Sequence, residues 1–146
     1  MTEEAKPDLT DRGIYKLWTP QQVRFADVDA QLHVNNVVFC TFLESGRVHV
    51  FVQLLRNAAP EGAMWVVARL ELDYRAELNW PNDVDVGTLV TSMGRSSVVL
   101  GQGIFVGSKC AATSTSVVVL IDKATRKSTP MPDSTRACFD PFLFGG

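Results

Sequence analysis

FCTFLESGRVHVFVQLLRNAAPEGAMWVVARLELDY, residues 39–74, changes its hydrophobic period halfway along, and that change decides the fold. In the first half Phe42, Leu43, Gly46, Val50, Phe51 and Leu54 follow Phe39 at three- and four-residue steps. That spacing stacks side chains along one stripe of a helix of about five turns. Glu44, Arg47 and Gln53 fall on its more polar sides, and His49 lies beside the stripe as packing or surface. NAAPEG, residues 57–62, stops the helix, because proline removes a donor and glycine permits positive φ. From Met64 the period is two. Met64, Val66, Ala68, Leu70, Leu72 and Tyr74 alternate with Trp65, Val67, Arg69, Glu71 and Asp73, giving a strand with one apolar face and one increasingly charged face.

Downstream, NWPND at residues 79–83 is a turn, and residues 84–93 and 97–106 read as two strands joined by a hairpin at Gly94. Gly101 and Gly103 mark a bulge or a close approach by ligand or backbone. Residues 112–122 are β-branched almost throughout and predict a strand covered on both faces, and a short helical turn is expected near residues 133–138. Upstream, residues 19–26 fit a strand with Val23 and Phe25 on one face, leading into the polar turn DVDAQLHVNN at 27–36. The order is strand, helix, then four strands. One helix before a meander cannot build a doubly wound sheet, since each pair of parallel neighbours needs its own crossover. The expectation is an α+β fold, an antiparallel sheet of about five strands wrapped around one long central α-helix. An edge or face left uncovered by that helix predicts a homodimer or homotetramer.

The 146 residues fit one domain, 1–146, with residues 1–13 as a flexible N-terminal segment. Unbroken apolar runs such as 117–121 are far too short for a membrane span, so no membrane role is expected. A net charge of -2 supplies no positive field for nucleic acid. The first thirteen residues show neither the apolar stretch nor the cleavage site of a secretory signal, and the expected location is cytoplasmic. Cys40, Cys110 and Cys138 lie far apart with no zinc-ligand spacing and read as reduced and structural; no metal and no cofactor are expected.

The chemistry concentrates in residues 23–47, VRFADVDAQLHVNNVVFCTFLESGR. Asp27, Asp29 and His33 sit in the turn that feeds the helix N-terminus. The first helical N–H groups lack intrahelical partners and carry the positive end of the helix dipole, so they suit a carbonyl oxygen that gains negative charge. A neighbouring carboxylate can attack the carbonyl carbon or take a proton from water. The same residues also suit a plain structural role, since Asp and Asn cap helices and stabilise turns.

VRFADVDAQLHVNN followed by FCTFLESGR resembles the signature of the hotdog-fold acyl-CoA thioesterases of the 4-hydroxybenzoyl-CoA thioesterase type. LELDYRAEL, NWPNDVDV and GRSSVVL continue the family's order over nearly the whole chain. The resemblance implies hydrolysis of an acyl-CoA to a carboxylic acid and free CoA. It places the catalytic carboxylate at Asp29, as nucleophile or general base, and the carbonyl-polarising N–H at Asn36. It assigns His33 and Asn35 to site shape or water positioning, Asp27 to structure, and Leu32 to a position where the family carries glycine. Glu44 and Arg47 fit an i,i+3 ion pair at a subunit contact. Arg95, with Lys109, Arg126 and Lys127, is a candidate for the coenzyme phosphates, and Ser96 and Ser97 for further hydrogen bonds to the substrate. The alternatives are a non-hydrolytic acyl-thioester-binding protein and a hydratase of the same fold; against the latter, Asp29 is followed by AlaGlnLeuHis rather than by Asn, Pro and His.

Overall fold

The computed structural model describes residues 5–54, 56 and 59–145. The side chain of Leu54 and the residues Asn57 and Ala58, which carry part of the helix stripe and its breaker, lie outside the described residues. Five strands, β1 (Leu17–Gln22), β2 (Ala63–Tyr74), β3 (Asp83–Met93), β4 (Ser97–Val106) and β5 (Lys109–Asp122), form one sheet in the order β1-β3-β4-β5-β2, every pair antiparallel. The helix α1 (Asn36–Val48) continues with π-type winding over His49–Leu54, and a short α2 (Asp133–Phe139) follows the last strand. This is the α+β architecture that the change of period predicts.

Val86 and Ile104 on the strands pack with Phe39, Phe42 and Leu43 of α1, and Val90, Leu100, Val118 and Leu120 pack with Val50 and Phe139. Arg47 departs from its expected polar setting. It is buried at 9% exposure, and the expected ion pair with Glu44 does not form among the described residues. Its guanidinium donates instead to Gln102 Oε1 at 3.4 Å, while the Gln102 amide donates to the Leu43 carbonyl at 3.0 Å and to Thr88 Oγ1 at 3.1 Å. A buried polar group needs a partner, and Gln102 lies directly beneath the helix backbone whereas Glu44 points to solvent.

The first strand begins and ends earlier than expected. Gln22 is its last residue paired with β3, after which Val23 is buried but Phe25 turns out to 67% exposure in a 3₁₀ turn, Phe25–Asp27. The Asp27 carboxylate closes this turn by accepting from the Arg24 backbone N–H and guanidinium, each at 2.8 Å, and that strong local bond wins over continued strand pairing. The alternating apolar face of β2 is also less covered than its pattern implies. β2 is an edge strand, and Val67, Leu70 and Tyr74 remain exposed within the chain.

The sheet face away from α1 is covered by the chain's own start. Tyr15 packs with Leu89 and Phe105, joined by Leu9, Ile14 and Trp18. Arg12 bridges to Asp85 at 2.8 Å and lies over the Trp18 ring at 4.2 Å. Thus the stretch expected to be a flexible N-terminal segment is held down from Leu9 onward, while residues 1–4 lie outside the described residues. Glycines make the room. A Cβ on Gly87 would lie 2.5 Å from the Tyr15 ring, one on Gly103 2.6 Å from its hydroxyl, and one on Gly101 2.6 Å from Leu9. The close approach expected at Gly101 and Gly103 is therefore made by the chain's own backbone and side chains.

Candidate active site

The segment between the turn at Asp27 and α1 is pinned by backbone bonds within itself and to the connection between β2 and β3. Val28 bridges to Val34, His33 to Asn79, and the Val34 N–H donates to the Leu78 carbonyl at 2.8 Å. Asn35 N–H donates to the Asp27 carbonyl at 2.8 Å, so the buried ion-paired aspartate fixes where the helix begins. The Arg24 guanidinium holds the Asp27 carboxyl below the usual carboxylate range. Asn35 is the N-cap, its side chain accepting from the Val37 N–H at 3.0 Å. The Val38 N–H is taken by the Asn35 carbonyl at 2.9 Å, and the Asn36 N–H has no acceptor among the described residues.

Asp29 heads a tight loop. Its Oδ1 accepts from the N–H groups of Gln31 at 2.9 Å and His33 at 3.2 Å, which leaves Oδ2 without a partner among the described residues. The loop closes through Leu32, whose φ of 61° is left-handed. Leucine therefore adopts here a backbone conformation that a glycine would take without strain. The Trp80 N–H holds the Leu32 carbonyl at 3.2 Å.

Asp29, His33, Asn35 and Asn36 line one cleft of about 540 Å³ together with Val34, Phe39, Tyr74, Arg75, Ala76 and Glu77. The cleft is open to solvent, and its floor is the start of α1 against the end of β2. Tyr74, Arg75 and Glu77 were not singled out from the sequence. His33 Nε2 lies 3.3 Å from Glu77 Oε2, and the Tyr74 hydroxyl donates to the Asn36 carbonyl at 2.8 Å. The signal that could have found them is the end of the strand: LDYRAE mixes charge with an aromatic where the alternating pattern breaks.

Arg95, Ser96 and Ser97 are not brought to this cleft. They form the β3–β4 hairpin at the other end of the sheet, where the Arg95 carbonyl accepts from Met131 N–H and the Ser96 carbonyl from Leu120 N–H, each at 2.8 Å. Lys109, Arg126 and Lys127 do not line it either, and Arg75 is the cation that does. His49 sits on the opposite flank of the helix, 2.8 Å from Thr19 Oγ1. Among the described residues no three His, Cys, Asp or Glu side chains gather as metal ligands, the three cysteines are unpaired, and no helix is long and apolar enough to cross a membrane.

The sequence profile of the thioesterase-like superfamily matches residues 23–139, from the buried Val23 to the end of α2. No curated protein matches the chain. Among solved structures, a thioesterase from Thermus thermophilus, complexed with coenzyme A and Zn, is 27% identical and has a TM-score of 0.74, covering 86% of this chain and 98% of that one. The PA5185 protein from Pseudomonas aeruginosa shares the fold at 22% identity and a TM-score of 0.82, covering 93% and 97%. A DHNA-CoA thioesterase from Staphylococcus aureus shares it at 22% identity and a TM-score of 0.69, covering 77% and 78%.

Proposed function

The chain belongs to the thioesterase-like superfamily, and from that premise we propose that it hydrolyses an acyl-CoA to a carboxylic acid and free CoA, with Asp29 as the catalytic carboxylate. The observation that carries this reading is the shared cleft: Asp29, whose Oδ2 has no partner among the described residues, and Asn36, whose N–H has none there either, both line it. The thioester carbonyl oxygen accepts from Asn36 N–H, at the positive end of α1, where the charge of a tetrahedral intermediate is stabilised. Asp29 attacks the carbonyl carbon or deprotonates a water that does so, and thiolate departs with little need of an acid. His33, steadied by Glu77, shapes the wall and orients water.

A second copy completes the substrate path. The outer edge of β2, with Val67, Leu70 and Tyr74 exposed within the chain, is one that a two-fold-related β2 extends in antiparallel fashion. Pairing centred near Leu70 sets Tyr74 opposite Val66 of the second copy. In that copy Val66 lies opposite Val119, and Val119 opposite Ser97. Three strand spacings, about 14 Å in all, then separate the cleft wall from the second copy's hairpin. Arg95, Ser96 and Ser97 of that copy would thereby lie within reach of an extended coenzyme, which is the role proposed for them.

The test is a panel of short, long and aromatic acyl-CoAs with release of free thiol followed colorimetrically. The wild-type chain turns over at least one member, and Asp29→Asn loses about 10²-fold or more in kcat with its fold intact. Unchanged hydrolysis in that variant overturns the assignment. Tight binding of acyl-CoA without thiol release by the wild-type chain favours a non-hydrolytic thioester-binding protein instead.

A further inference from the structure

We propose, resting on the hydrolase reading above, that Tyr74 is a positioning residue that aims the Asn36 N–H at the substrate carbonyl. The Tyr74 hydroxyl donates to the Asn36 carbonyl at 2.8 Å, tying the last residue of β2 to the first residue of α1. Its ring meets Phe39 edge-on, with centroids 5.1 Å apart, which fixes the direction from which the hydroxyl arrives. The first residue of a helix is held by few intrahelical bonds and frays readily. The peptide units on both sides of Asn36 are instead held, the Asn35 carbonyl, which shares a peptide unit with the Asn36 N–H, accepting from Val38 N–H at 2.9 Å. Asn35 N–H is anchored on the Asp27 carbonyl, Val37 N–H is anchored on the Asn35 side chain, and the Asn36 carbonyl is anchored on Tyr74. With its neighbours fixed, the one remaining N–H has a set direction.

A purely structural account of this bond is weaker. The Asn36 carbonyl lies at the exposed start of α1 beside an open cleft, so water can replace the tyrosine as its donor and the bond adds little to folding. The direction of a donor at a developing oxyanion is far less forgiving than stability is, because the donor has to meet the oxygen's transition-state position without reorganising. Desolvation raises the phenol pKa from its ordinary value, so the hydroxyl remains a donor throughout the neutral range.

Tyr74→Phe keeps the ring on Phe39 and removes only the donor. Expected is a fall in kcat of about tenfold with KM within about twofold of wild type, since only transition-state stabilisation is lost. A second reading comes from the ketone analogue of an acyl-CoA, in which methylene replaces sulfur and the carbonyl is ¹³C-labelled. Its bound carbonyl stretch falls in the wild-type chain and returns toward the free value in Tyr74→Phe. A merely structural tyrosine would lower the thermal midpoint while leaving both the kcat-to-KM split and the carbonyl band in place, and that result overturns the proposal. If the wild-type chain releases no thiol from any acyl-CoA, the hydrolase reading falls on its own. The carbonyl band then decides Tyr74 separately: a band displaced by the variant supports the clamp, and an unmoved band overturns it.

Discussion

Leu32 offers a test in which two substitutions of one residue should rank opposite to their usual order. Its φ of 61° puts a Cβ against the following carbonyl oxygen, at a cost of about 1–2 kcal/mol for a residue other than glycine. Leu32→Ala keeps that strain, whereas Leu32→Gly removes it and gives up about 0.5–1 kcal/mol through the freer unfolded chain. Both variants lose the leucine side chain beyond Cβ, 43% exposed, so that loss cancels between them. At the middle of these ranges the glycine variant should therefore be the more stable by about 0.7 kcal/mol, which for a chain of this size is about 1–3 °C in thermal midpoint. Circular dichroism melts at equal protein concentration measure the difference, because a midpoint coupled to self-association depends on concentration. An alanine variant as stable as the glycine variant, or more so, would refute the left-handed turn at Leu32 and with it the loop that presents Asp29.

Three further outcomes follow from other parts of the molecule. Asp27 has its pKa depressed by Arg24, so its contribution to stability is complete above the unfolded carboxylate value near 4 and is lost as pH falls through the lower folded value. Asp27→Asn should accordingly melt lower at pH 7, by the equivalent of about 1–2 kcal/mol, and lose less on acidification than the wild type; parallel acid limbs would contradict this. Gly87→Ala drives a Cβ into the Tyr15 ring at 2.5 Å and should destabilise by about 1–3 kcal/mol in urea unfolding, with much of the loss recovered in the double variant Gly87→Ala with Tyr15→Leu. Gln102→Leu leaves the Leu43 carbonyl without its side-chain donor and the buried Arg47 without its acceptor, and the same assay should register a loss of about 1–3 kcal/mol.

The elements that sequence reveals well are those set by local repetition. The alternation of β2 and the three- and four-residue steps of α1 are one-dimensional patterns, and β4 has the bounds that its run of residues predicts. What local pattern does not carry is pairing. β1 ends at Gln22, where its partner β3 begins and the Asp27 turn leads the chain away, and Arg47 turns inward because Gln102, far along the chain, offers an acceptor under the helix. The candidate site divides the same way. Asp29, His33, Asn35 and Asn36 are near neighbours in sequence and share one cleft, while Tyr74, Arg75 and Glu77 come to it only through the antiparallel return of β2. Arg95, Ser96 and Ser97 have hairpin character that is plain from sequence, but the end of the sheet at which a hairpin lands depends on strand order.

The seat that Gly87, Gly101 and Gly103 provide for Leu9 and Tyr15 has a bearing on how such molecules assemble. That side of the sheet is finished before any neighbour arrives. Stacking two sheets back to back would require peeling away the chain's start and exposing a channel floored by bare peptide. The proposed pairing, sideways along the rim of β2 beside the cleft, needs no such exposure. Removing the first fifteen residues should then do more than shorten the protein, because it would open a sticky surface where the native chain has none.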